Sequence, residues 1–200
     1  MENLQKFYIN GEWVAPQSKN TMPVMNPATE EQIGIVAMGN VDDVNLAVSA
    51  ANTAFEIFSQ TSKEERLNLL LKIQEVTKNR FEDLVQAMSL EMGAPMTMAR
   101  DAQADAAIGH LDGFIEALKK LEDYVTLPNG DVLCKEPIGV CGLITPWNWP
   151  INQITLKVLP AIATGCASIL KPSEHTPLSA VVYTEILHEA GVPSGVFNLV

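Results

Sequence analysis

Two short segments carry the side chains best suited to chemistry. Residues 144–160 read ITPWNWPINQITLKVLP, with Asn148 between two tryptophans and two prolines, and residues 171–177 read KPSEHTP. A tight corner needs only Gly, Asn, Asp or Ser. An amide N–H₂ held on a bulky corner is a donor for negative charge that develops during a reaction. Each residue also has a plainer reading. Trp147 and Trp149 can be core aromatics, Asn148 can close a turn, Glu174 can be a charge at a helix N-terminus beside Thr176, and Lys157 can snorkel from an amphipathic helix.

Position decides between these readings, so the elements around the segments matter. IGVCGLIT, CASILKP and GVFNLV are short, nearly continuous apolar runs, the texture of strands buried on both faces of a parallel sheet. Two helices separate them. The first opens with Pro150 and ends near Gly165; the second has Thr176 as N-cap, Pro177 at its first turn, then Gly191 and Pro193 as stop signals. The pattern is β-α-β-α-β, half of a doubly wound sheet, in which ligands gather at the carboxyl ends of the strands. TPWNWP and KPSEHTP follow the first and second strands and should lie side by side. A G-x-G-x-x-G phosphate loop after the first strand is absent, because Gly139 and Gly142 lie before or within that strand.

The N-terminal half should support this sheet. Asn10-Gly11 signals a hairpin, and Asn26-Pro27-Ala28-Thr29 a second strand pair. An amphipathic helix follows, entered through Asn40, Asp42 and Asp43, with Val44, Ala47, Val48, Ala51 and Phe55 on its stripe. Ser62 and Glu65 form a capping box ahead of the next helix, and RFEDLVQAMSLEM ends at Gly93 and Pro95. A further helix reads from about Met98 to Leu121, with Ile108, Leu111, Phe114, Ile115 and Leu118 on one stripe. DYVTLPNGDVLCKEP reads as another hairpin closed by Pro137.

Composition sets the outer limits. The chain has 200 residues, 47% hydrophobic and 18% charged, which describes a folded soluble protein. A net charge of −11 repels nucleic acid and anionic lipid, so neither partner is expected. The start carries neither a leader pattern nor a membrane-span stretch, and a cytoplasmic address is the expectation. Cys134, Cys141 and Cys166 suggest neither a disulfide framework nor a zinc site, and Cys141 and Cys166 read as small core residues. His110, His175 and His188 lack ligand spacing, so no metal is expected. The cluster Met88, Met92, Met96 and Met98 reads as gap-filling at a helix end.

From Glu136 to Val200 the chain resembles the NAD(P)-dependent aldehyde dehydrogenases. PWNWP is similar to that family's P-W-N-[FW]-P signature, LKPSEHTP to its K-P-[SA]-E signature, and LKVLPAIATGCA between them also looks like the family. INGEWV, NPATEE, LEMGAP and EPIGVCGLI extend the resemblance more loosely over the whole chain. It implies oxidation of a small-molecule aldehyde to a carboxylic acid: a cysteine thiolate attacks, hydride passes to nicotinamide, and the thioester is hydrolysed through tetrahedral oxyanions. Asn148 matches the family's oxyanion donor. Ile144, Thr145, Pro146 and Trp147 match the stretch that walls the cofactor, and Trp149 a position lining the aldehyde tunnel. Lys171, Ser173 and Glu174 match the adenosine-ribose loop, and Lys157 a lysine thought to assist proton removal. Ionised Glu174 accepts from ribose hydroxyls and repels a 2′-phosphate, so NAD is expected over NADP, with Lys171 partly offsetting the repulsion.

The resemblance also implies what lies outside these residues. Val200 precedes the family's G-S-T-x-x-G loop, general-base glutamate and catalytic cysteine, so the chain holds an oxyanion donor and half a cofactor site. The expected organisation is residues 1–121 as N-terminal strands and helices of the cofactor-binding domain, 122–136 as a protruding oligomerisation hairpin, and 137–200 as the first half of the Rossmann-like sheet. A homodimer or homotetramer is implied. An inert cofactor-binding or interaction fragment is the alternative, and an acyl-phosphate reductase is disfavoured by the intact Asn148 signature. The sheet is expected to end at GVFNLV as an exposed apolar edge.

Overall fold

The computed structural model describes residues 2–200. Its centre is a five-stranded sheet of β1 (Phe7–Ile9), β2 (Glu12–Val14), β7 (Val140–Ile144), β8 (Ala167–Lys171) and β9 (Phe197–Leu199), in the order β2-β1-β9-β8-β7. Strands β7, β8 and β9 run parallel and are joined by α6 (Pro150–Ala163) and α7 (Pro177–Glu189), as the apolar runs implied. The Asn10-Gly11 turn has positive φ at both residues, the geometry that a two-residue hairpin needs, and it pairs Ile9 with Glu12. Strands β3 (Thr21–Asn26) and β4 (Glu31–Ala37) form a separate antiparallel pair around Asn26-Pro27. Strands β5 (Tyr124–Thr126) and β6 (Val132–Cys134) form the third sheet.

Helices cover the main sheet unequally. Beneath one face, α6 and α7 pack with α2 (Lys63–Asn79), α3 (Phe81–Met92) and α5 (Asp105–Lys120) in the principal core, which includes Leu70, Leu84, Met88, Leu111, Ile151 and Tyr183. On the other face α1 (Val41–Phe58) meets Phe7, Ile9, Ala167 and Ile169. Asn40 and Asp43 cap α1 reciprocally, and Ser62 with Glu65 caps α2 in the same way.

The structure corrects three local expectations and adds detail to two others. On α1, Ala47, Ala51 and Phe58 face inward while Val44 and Val48 are exposed, because alanines let the helix sit close to the sheet. The helix expected from Met98 runs without a break, but not as regular α-helix: α4 (Met96–Met98) leads into a π-helical segment, Ala99–Ala104, before α5. That wider turn inserts a residue and brings Gln103 and Ala104 into the core ahead of Ala107, Leu111, Ile115 and Leu118. Strand β9 is not an edge, since β1 pairs with it antiparallel through Tyr8 and Leu199. The exposed edge is instead β7, which is half-buried rather than buried on both faces. Finally, Thr176 occupies the N-cap position of α7 without making a side-chain capping bond.

Asn198 explains how β1 finds β9. Its side-chain amide donates to the carbonyls of Ser168 at 3.2 Å and Gly195 at 2.8 Å, and its oxygen accepts from Asn10 N–H at 3.0 Å. One buried amide therefore ties the hairpin turn to two strands.

Candidate active site

The ends of β7 and β8 form one unit. Ile144 is in register with Lys171, and the next residue, Thr145, donates its N–H to the Lys171 carbonyl at 3.2 Å. Beyond buried Thr145 the chain bends through Trp147, Asn148 and Trp149 into α6, where buried Pro150 occupies the first turn and needs no N–H partner. The Trp149 carbonyl accepts from Gln153 N–H at 3.0 Å, so the corner is anchored to the helix. Trp147 is 57% exposed and Ile144 73%. Pro146 and Asn148 are also exposed, and Trp149 is half-buried. Trp147 is therefore not a core aromatic within this chain, and the Asn148 amide is presented at the strand ends.

The loop after β8 is tightly organised. Ser173 Oγ accepts from His175 N–H at 3.3 Å, and the Ser173 carbonyl accepts from Thr176 N–H at 3.1 Å. Lys171 Nζ lies 3.0 Å from Glu174 Oε2, with side chains 51% and 34% exposed. The Glu174 carboxyl is held below the usual carboxylate range, first by its own backbone N–H and then by Lys171. An exposed pair of this kind is worth little as a structural bond, which leaves both groups able to exchange partners. Beside it opens a cavity of about 500 Å³, walled mainly by apolar side chains from β4, α1 and α7, among them Val36, Val41, Val44 and Val181.

A second cavity, of about 640 Å³, touches both loops through Trp147, His175 and Thr176. Its wall includes Glu91, which sequence reasoning did not single out. The available signal was position: Leu84, Met88 and Glu91 fall on one buried stripe of α3, so a carboxylate occupies an apolar place. Lys157, half-buried on α6, makes no ion pair or hydrogen bond among the described residues.

The family model for the aldehyde dehydrogenase family matches residues 13–200. The chain belongs to the aldehyde dehydrogenase family. It is 46% identical over 204 residues to a 3-succinoylsemialdehyde-pyridine dehydrogenase from a Pseudomonas species, with all of this chain and 42% of that relative covered. Among solved structures it superposes with TM-score 0.96 on an aldehyde dehydrogenase from Bartonella henselae, at 46% identity, covering 98% of this chain and 42% of that one. It does so equally, at 49% identity and 100% and 41% coverage, on a cysteine-to-alanine variant of aldehyde dehydrogenase C from Pseudomonas syringae complexed with NAD+ and octanal. The chain thus spans about 42% of the length of the relatives it matches.

Within the family frame, the three thiols differ in setting. Cys166 is buried, Cys134 is exposed, and burial together with the neighbouring Cys166 pushes the half-buried Cys141 thiol up, away from the reactive thiolate. Among the described residues no cluster of three or more His, Cys, Asp or Glu could hold a metal ion, and no helix is long and apolar enough to cross a membrane.

Proposed function

We propose that the protein carrying this chain oxidises a small-molecule aldehyde to the carboxylic acid with NAD, and that these residues supply its oxyanion donor and the ribose end of its cofactor site. The observation that carries this reading is the junction of Thr145 with Lys171, which sets the exposed Asn148 corner beside the Lys171–Glu174 pair.

The residues present fit NAD. The apolar cavity next to the pair suits a flat nucleoside, and an ionised carboxylate beside an ammonium matches the vicinal hydroxyls of a ribose. Glu174 accepts from those hydroxyls, while Lys171 donates to one of their oxygens. The same carboxylate opposes a 2′-phosphate, so NADP is the weaker partner. Ser173 holds the loop's shape through its hydroxyl and carbonyl, and Ile144, Thr145, Pro146 and Trp147 wall the cofactor along the end of β7. NAD supplies the hydride acceptor.

Asn148 acts on the aldehyde. Its amide N–H₂ donates to the carbonyl oxygen as negative charge builds there, in the tetrahedral species before hydride transfer and again during thioester hydrolysis. One such donor is worth about 3–4 kcal/mol in the transition state. Trp149 lines the aldehyde's approach, and Lys157, on the helix that the corner opens, assists proton removal. The nucleophilic cysteine and general-base glutamate belong to sequence outside these residues. Assembly as a homodimer or homotetramer through the 122–136 hairpin, in the cytoplasm, completes the reading. The test is kinetic: in the full-length protein, NADH formation with aliphatic and aromatic aldehydes should require Asn148, and no NAD-linked turnover with any of them would overturn the proposal.

A further inference from the structure

We infer that Glu91 is a positioning residue for the nucleotide-binding loop, holding Ser173 and Glu174 in place by capping α7 from the neighbouring helix α3. The inference rests on the reading of Lys171 and Glu174 as the ribose site.

Helix α7 begins with unmet donors. Pro177 has no N–H, and the Thr176 hydroxyl is buried without a partner, so the cap-position side chain satisfies nothing. The Glu91 carboxylate takes over this task from 87 residues away. Its Oε2 accepts from Leu178 N–H at 2.5 Å and its Oε1 from Ser179 N–H at 3.1 Å. The Ser179 hydroxyl lies close enough to favour the anion but closes no hydrogen bond of normal geometry. Both carboxylate oxygens are therefore committed to the first turn of α7.

The end of α3 is itself pinned. Gly93, which follows the helix, is left-handed and packs so closely on the β3–β4 turn that an added Cβ would lie 2.9 Å from Pro27 Cγ. The span from Glu174 to the α7 cap is two residues, bridged by the Ser173–Thr176 bond. A fixed α7 N-terminus therefore fixes the backbone from which the Glu174 side chain projects.

Titration makes the role measurable. Ionised Glu91 offers an acceptor to each N–H, whereas the neutral acid turns one oxygen into a donor and loses a bond. Burial pushes its carboxyl up from 4.5 to about 7, against the two backbone N–H groups that favour the anion. Charged and titratable groups on α3, α7 and the π-helical segment are Glu82 and Asp83 on α3, Tyr183, Glu185, His188 and Glu189 on α7, and Arg100 and Asp101 in the π-helical segment, with His175 on the shared cavity. None of them contributes to the Glu91 shift.

The experiment measures NAD binding by calorimetry in the full-length protein, as wild type, Glu91→Gln and Glu174→Gln, from about pH 6 to about pH 8. Wild-type affinity should rise by about three- to tenfold with pH, the worth of one buried hydrogen bond. Glu91→Gln should bind at the wild type's low-pH affinity throughout, with the change appearing in KM for NAD rather than in kcat. If Glu174→Gln weakens NAD binding while Glu91→Gln matches wild type at every pH, the Glu91 role is wrong and the ribose site stands. If Glu174→Gln changes nothing, the ribose reading itself has failed. Should Glu91→Gln not fold, a flat wild-type profile across this range would still overturn the inference.

Discussion

Thr145 donates its backbone N–H to the carbonyl oxygen of Lys171 across 3.2 Å, the bond that extends the β7–β8 ladder one step past the strands. Corner and loop thereby share one rigid frame. Glu174→Gln keeps the shape of the loop and removes the charge that opposes a 2′-phosphate, so the ratio of kcat/KM for NADP over NAD should rise, by about tenfold if the repulsion is worth one pKa unit of interaction. Initial-rate kinetics with both cofactors check this, and an unmoved ratio would remove Glu174 from the ribose site.

Stability should respond to Glu91 with the opposite sign to cofactor binding. Its folded-state pKa, about 7, lies above the ordinary 4.5, so the folded protein binds more protons between those values than the unfolded chain does. That contribution is fully present below the unfolded value and is lost as pH rises through about 7. Thermal midpoints of wild type should therefore fall relative to Glu91→Gln as pH increases from about 4.5 to about 7 and level off above it. Parallel curves for the two proteins would show that Glu91 is not titrating in the fold.

Asn198→Ala removes three hydrogen bonds, two of them buried, and leaves the Ser168 and Gly195 carbonyls and the Asn10 N–H to find new partners. The expected loss is about 2–4 kcal/mol in denaturant unfolding of the full-length protein. A change below about 0.5 kcal/mol would mean that water replaces the amide at no cost.

The β5–β6 hairpin leaves Tyr124, Val132 and Leu133 exposed, and a two-stranded sheet alone is marginal in water. If the proposed assembly forms through this hairpin, Val132→Asp combined with Leu133→Asp should lower the sedimenting mass seen by sedimentation velocity. An unchanged species would place the interface elsewhere.

Much of the fold is legible because its signals are local. Asn10-Gly11, the Ser62–Glu65 box and Gly93 after α3 each satisfy or terminate backbone within a few residues, and all three appear where the sequence puts them. The parallel β7-α6-β8-α7-β9 run is equally readable from the alternation of apolar strands with Pro-started helices. What escapes is long-range. The pairing of Tyr8 with Leu199, and the reach of Glu91 to Leu178 and Ser179, depend on partners 191, 87 and 88 residues apart, which no local period records. On α1 the expected stripe holds at Ala47 and Ala51 but not at Val44 and Val48, because hydrophobicity favours the valines while close packing on the sheet selects the alanines. At the site, the motifs place Ile144, Thr145 and Lys171 together, whereas nothing in their spacing indicates that Glu91 supports the loop.

The central claim is that the exposed Asn148 amide is an oxyanion donor. Asn148→Ala in the full-length protein removes that donor and leaves the Thr145–Lys171 frame and the Lys171–Glu174 pair in place. The decisive measurement is steady-state kcat alongside NAD affinity by calorimetry, in protein whose near-UV circular dichroism matches wild type. In Asn148→Ala, kcat should fall by about a hundredfold or more while NAD affinity stays within about twofold. An intact kcat in the folded variant would show that Asn148 only shapes the corner, and the proposed chemistry would have to be placed elsewhere.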